Sequence, residues 1–368
     1  MSATAEREPL GSLYDYALLL HERSPDGPLP RDGEPYPDGK RHGGPLSDDP
    51  EFWRSDGVAV AVVLDRHFAD PHARPADLVG PLHEVDVPIH QNHHVAAAAL
   101  RADRQRVLDT GRWLVRHGSD RCAVTVGLAL LATDHDPTDI DLIRTIGLLS
   151  NRFGPLAAKA LRRRHDRGHE ALLWLAQRVA GWGRVYVVEE LCRYVTADTR
   201  AWLLRHSCDG DFLNGYYAWN VATAAHLHAA IVDTHADDEV VDHTGLLLRI
   251  LAGCSGMGLT LEDYPPAPAV LAAHAAHRSR QEPTAARYVQ SATIAAHLTG
   301  NSPRKCGCTA PQRDDIVRRY LTVLDRPEWR DTMRADHVLN DEYHTWFAGT
   351  VGRQLNLEPF RDRRSPGR

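Results

Sequence analysis

The middle of the chain repeats itself at an offset of about 30 residues, and a period of that length restricts the fold more than any other feature. Residues 146–161 (IGLLSNRFGPLAAKAL) align with residues 176–191 (AQRVAGWGRVYVVEEL). The stretches that follow align as well, RRRHDRGHEALLWLA from Arg162 over CRYVTADTRAWLLRH from Cys192. A third, looser copy starts at Cys208 (CDGDFLNGYYAWNVATAA), with Gly210 in the place of Gly181. Each copy reads as a turn and two short helices. A unit that small cannot bury its apolar face alone, so neighbours must stack. The expected fold is all-α, an α-solenoid of stacked antiparallel helix pairs.

The flanking sequence agrees. Ala96, Leu100, Val107, Trp113 and Leu114 stripe one helix over 95–117. Helices follow over 120–131, 140–149, 155–164, 169–179, 184–195 and 199–207, with 212–232 the longest and 238–251 after it. A later group covers 269–280, 284–298, 312–324 and 342–355. Asp136-Pro137, Gly154-Pro155 and Asp198-Thr199 mark helix starts, and Gly168, Gly181 and Gly183 punctuate the array. No Asn-Gly hairpin lies between alternating runs.

Residues 1–50 differ in kind. They hold eight of the chain's 23 prolines, and only 13–21 can form a helix. Such a segment lacks the apolar surface to order itself, and reads as an irregular tail or as chain that docks on the body of the protein or on a partner. The helical-repeat domain is expected over 51–357, with a basic disordered tail over 358–368.

The repeats resemble HEAT-like arrays of the short class, most strongly over 137–232, with Gly154-Pro155 and Trp182-Gly183-Arg184 carrying part of the usual signature. That resemblance implies a curved surface that binds protein, peptide or nucleic acid, and only occasionally catalysis. The net charge of −6 supplies no global basic field for nucleic acid or anionic lipid. The apolar run 58–64 falls far short of the roughly 20 residues needed to cross a bilayer, so no membrane partner is expected. The N-terminus lacks a signal-peptide layout, and the expected location is the cytoplasm. Only Lys40, Lys159 and Lys305 stand against many arginines, the bias of a GC-rich bacterial genome. The six cysteines sit mostly in helical contexts and read as buried thiols.

Candidate chemistry is sparse. His90, His93 and His94 could share a helix face around zinc, but Pro88 starts that segment as extended chain, and no metal or cofactor is expected. His226 and His228, like His274 and His277, read as rim or core residues, and Cys306 and Cys308 lack a second pair. Asp134, Asp136, Asp139 and Asp141 read as helix capping. Arg152, Arg162, Arg163, Arg164 and Arg167 form a basic strip suited to phosphate. A binding groove is expected from Asp209, Asp211, Asn214, Tyr217, Trp219 and Asn220, with Trp182, Arg184 and Tyr186 at the matching place one repeat earlier. Rings would supply area there and polar groups orientation. Adjacent tyrosines cannot share a face, so Tyr216 or Tyr217 should point outward.

Two readings of different class follow. The first is a non-catalytic scaffold that holds a protein or peptide partner on the concave face of the solenoid. The alternative is an enzyme acting on nucleic acid, similar to the HEAT-like DNA glycosylases. On that resemblance Asp209 or Asp211 would be the carboxylate and Trp182 or Trp219 the ring platform.

Overall fold

Helices carry the chain, and no strand occurs among the described residues. The structure, a computed structural model, describes residues 11–38, 57–300, 305–335 and 341–361. Residues 51–56 of the expected helical-repeat domain and tail residues 362–368 lie outside them. Where the sequence suggests one helical domain over 51–357, the contacts divide the chain into two compact units, Met1–Tyr194 and Val195–Arg368.

The first unit runs through α1 (Leu13–Arg23), α2 (Val58–Ala69), α3 (Val79–His83), α4 (His93–Arg101), α5 (Arg104–His117), α6 (Arg121–Leu131), α7 (Ile140–Ile146), α8 (Ser150–Arg162), α9 (His165–Ala176) and α10 (Gly181–Cys192). The single helix expected over 95–117 is two, because the Asp103 carboxylate caps α5 by accepting the Arg106 amide at 2.9 Å. α8 and α10, which fall in the two aligned stretches of sequence, pack directly on one another. Gly183 permits that approach, since a Cβ there would lie 1.8 Å from Ser150 Oγ. Glu190 of α10 takes hydrogen bonds or charge from both Arg162 and Lys159 of α8.

The N-terminal segment docks on this unit. Leu13 and Ala17 of α1 are fully buried, and α1 packs on α5 and α7. Beyond it, Arg31 and Asp32 take left-handed backbone (φ 50° and 55°), which turns the Asp32 carboxylate onto the start of α8. There it accepts Ser150 N at 2.7 Å, Ser150 Oγ at 2.6 Å and Asn151 N at 2.5 Å. α8 has no side-chain cap of its own, so a residue 118 positions away supplies it. Asp38 then pairs with Arg121 at 2.6 Å.

The second unit contains α11 (Ala197–His206), α12 (Ala218–Ala224), α13 (Leu227–Val232), α14 (Asp238–Gly253), α15 (Ala267–Arg278), α16 (Ala285–Thr299), α17 (Ala310–Leu324), α18 (Pro327–Ala335) and α19 (Asp341–Phe347). A buried polar network ties α14 to α17. The fully buried Arg278 guanidinium donates to Asp242 at 2.7 Å, Gln281 at 2.6 Å, Gln290 at 3.1 Å and His274 Nε2 at 3.1 Å. Because Nε2 accepts, the neutral His274 ring carries its proton on Nδ1 and donates it to Tyr320 Oη at 2.7 Å. Burial, followed by the Arg278 charge, holds the His274 ring well below the ordinary imidazole range. Asp242 also accepts from Arg287 at 2.7 Å. Gly245 leaves room for all of this, since a Cβ there would lie 2.6 Å from Gln290 Oε1 and 2.8 Å from both Arg278 and His274. At the C-terminal end Tyr288, Trp329 and Phe347 build a core. Glu358–Phe360 is a 3-10 turn rather than loose tail: Phe360 packs edge-on to Phe347 at 5.4 Å and Glu358 pairs with Arg334.

Candidate functional site

The second unit contains an open cavity of about 450 Å³ built on a broken helix. The expected 21-residue helix over 212–232 does not form. In its place come a 3-10 turn (Phe212–Tyr216), α12 and α13, with His226 in left-handed backbone (φ 54°) between the two α-helices. No glycine or proline marks that break, and α14 is instead the longest helix among the described residues. The break splays α12 from α13 so that Trp219, Ala222 and Thr223 of the one and His228 and Ala229 of the other face a shared space, with His226 at the corner. Tyr264, Pro265 and Pro266 close the opposite wall.

Two rings of this pocket are fixed from behind. The Trp219 indole N–H donates to Asp263 O at 3.0 Å. Asp263 is itself held by the amide and hydroxyl of Thr260 at 2.8 and 2.9 Å, which keep its carboxyl below the ordinary range. Tyr264 is 3% exposed, donates to Ala222 O at 3.4 Å, and has its phenol pushed up to about 12 by burial. It is therefore a neutral apolar wall at physiological pH. The exposed Thr223, His226 and His228 add a hydroxyl and two imidazoles at the mouth. A cavity of this size, mostly apolar with a few polar groups, suits a ring-bearing ligand group.

The remaining residues expected in the groove do other work. Asn214 is buried, and its Oδ1 accepts the amides of Asp209 and Gly210 at 3.0 Å each, closing the loop before α12. Asp211 caps the 3-10 turn by accepting Leu213 N at 2.8 Å. Tyr217 is fully buried and donates to Ser207 O at 2.9 Å, while Tyr216 is the half-buried member of the pair. Asn220 is half-buried outside the cavity lining. Asn214 and Tyr217 thus belong to the core, and of the six only Trp219 reaches the pocket. His226, His228, Tyr264 and the two prolines help complete it: the two histidines stand at its rim, one of the places read for them in the sequence, and only the fold marks Tyr264 and the prolines.

Trp182, Arg184 and Tyr186 lie in the first unit. Trp182 stacks on Tyr186 (6.0 Å, 23°), and Tyr186 meets His90 edge-on at 5.4 Å. Beside them burial raises the Glu189 carboxyl above its ordinary range.

The five arginines do not form a continuous basic strip. Arg164 is buried, and its guanidinium donates to Asp136 O at 2.9 Å, Asp134 O at 3.2 Å, Ala160 O at 2.7 Å and Leu131 O at 3.1 Å. Arg162 is spent on Glu190. Arg152 reaches inward to Thr125 and Val87 O, and burial lowers its hold on its proton. Only Arg163 and Arg167 of the five are exposed. The acids 134–139 complete the same internal network: Arg104 pairs with Asp134 at 2.7 Å, and Arg112 with Asp136 at 2.9 Å and Asp139 at 2.7 Å.

His93 and His94 lie ring against ring at 3.8 Å, and His90 turns to Tyr186 instead. A different trio, His83, Asp120 and Cys122, brings its ligand atoms together. No disulfide joins the six cysteines. No helix among the described residues is long and apolar enough to cross a membrane.

No protein-family model matches the chain, and neither does any curated protein or solved structure.

Proposed function

We propose that this is a non-catalytic binding protein, a HEAT-like helical scaffold, that holds a protein or peptide partner by seating one aromatic or prolyl ring in the Trp219–Tyr264 pocket. The observation that carries the reading is the 450 Å³ cavity whose indole and phenol are pinned in place by Asp263 and Ala222. Rings held rigid before binding lose little entropy when a ligand arrives, which favours affinity. The ring faces supply contact area, and Thr223, His226 and His228 orient the polar flank of the incoming chain. The repeat periodicity supports the scaffold part of the proposal, since stacked helix pairs commonly present such surfaces.

A displayed-peptide selection tests it. The parent protein should enrich peptides bearing Trp, Tyr, Phe or Pro at one shared position, and Thr223→Trp, which fills the mouth, should abolish the enrichment. Equal enrichment on both proteins, or none on the parent, would refute the proposal.

A further inference from the structure

Where α3 ends and α6 begins, the first unit brings an imidazole, a carboxylate and a thiol to one place. The ligand atoms of His83, Asp120 and Cys122 all lie within 4.8 Å of one another, the one such group among the described residues. Asp120 and Cys122 are 4% and 2% exposed. Asp120 is the N-cap of α6, and its Oδ1 is fixed by the amides of Cys122 at 2.8 Å and Ala123 at 3.3 Å. Its Oδ2 is thereby aimed at His83 Nδ1, 2.9 Å away. A carboxylate anchored through one oxygen and presenting the other is how supporting hydrogen bonds orient a metal ligand. Cys122 sits in the first turn of the same helix, which sets its Sγ beside the other two ligand atoms.

We propose that His83, Asp120 and Cys122 form a binding site for a zinc-class divalent ion, with a fourth position for water or another donor. One nitrogen, one oxygen and one sulfur ligand suit a borderline metal, whereas calcium and magnesium take oxygen. Bonds of about 2.0–2.3 Å in a tetrahedron put ligand atoms roughly 3.3–3.8 Å apart, so side-chain rotation of about 1 Å closes the site. A thiolate and a carboxylate neutralise the dication. Of the two nearby arginines, Arg121 is already paired with Asp38, and Arg152 reaches to Thr125 and Val87 O. Without a metal, helix capping and the His83–Asp120 hydrogen bond account for two of these groups, and packing in the apolar core accounts for the thiol, so the two readings differ in whether the three act together on one ion.

Cobalt(II) titration of the full chain, stripped beforehand with chelator, separates the two. One equivalent of cobalt should produce a thiolate-to-cobalt charge-transfer band, and one equivalent of zinc should displace it. Cys122→Ser should lose the band, and His83→Gln should weaken cobalt affinity at least about tenfold, while Cys254→Ser, a buried thiol of the second unit, leaves both intact. If Cys122→Ser fails to fold by circular dichroism, His83→Gln decides. No band in the folded parent, a band that survives Cys122→Ser, or unchanged affinity in His83→Gln overturns the proposal.

Discussion

Replacing Arg164 by methionine is the sharpest test of how the first unit is held together. The side chain is buried, and its guanidinium is the donor for the loop carbonyls of Leu131, Asp134 and Asp136 and for Ala160 O. It also stands 3.6 Å from the Asp139 carboxylate. Methionine keeps much of the volume and removes every donor. Asp139 retains Arg112 at 2.7 Å, so its charge is not left alone. Asp134 O loses its donor, while Leu131 O keeps the Asp134 amide at 3.3 Å and Asp136 O a long contact from the Asp139 amide at 3.5 Å; with the charge-assisted bonds also gone, the total loss should be about 3–5 kcal/mol. For a unit of this size each kcal/mol moves the midpoint by about 2–4 °C, so the first unit should melt on the order of 10 °C lower. Differential scanning calorimetry reads the shift, and Arg163→Ala and Arg167→Ala serve as exposed controls that stay within about 2 °C of the parent. An Arg164→Met protein that melts with those controls would refute the assignment of Arg164 to the interior framework.

Other perturbations have defined outcomes. Trp219→Ala should cost the selected ring-bearing peptide about 2 kcal/mol of binding by calorimetry, with the fold intact by circular dichroism; unchanged affinity would separate the ligand from the pocket. Gly245→Ala forces a methyl group into the Arg278 network and should destabilise the second unit by about 2 kcal/mol in urea unfolding. Asp32→Ala removes the only side-chain cap of α8 and should cost about 1–2 kcal/mol while speeding tryptic cleavage at Arg31; an unchanged digestion rate would count against the docked segment. His274 is held well below its ordinary range when folded, so the unfolded chain takes up a proton as pH falls through about 6.5 and the folded chain does not. Its contribution is therefore present above that pH and lost below it, at up to about 1.4 kcal/mol per pH unit. Urea midpoints at pH 7.5, 6.5 and 5.5 check the sign, and a second unit that gains stability on acidification would contradict it.

All-α character and the positions of most helices were legible in the sequence. Those features come from local causes: apolar spacing and capping residues. A helix start such as Asp136 acts through an amide two residues away, a range over which composition is informative.

The pocket was not legible, because its formation depends on a left-handed His226 that tertiary packing imposes against an uninterrupted helical pattern. Trp219 could be picked out as an aromatic among polar residues, but Tyr217 and Asn214 carry the same surface signal and are core. Which of three neighbouring polar or aromatic residues faces solvent is decided by rotation about the helix axis, and a turn of 100° per residue leaves no margin once a break shifts the register. Partners distant in sequence were equally hidden: Asp32 on Ser150, Asp263 under Trp219, and His83 beside Asp120. A run of arginines looks the same in sequence whether it faces phosphate or the protein's own carbonyls. Burial alone separates the two, because a guanidinium removed from water must be satisfied by whatever acceptors the fold brings to it.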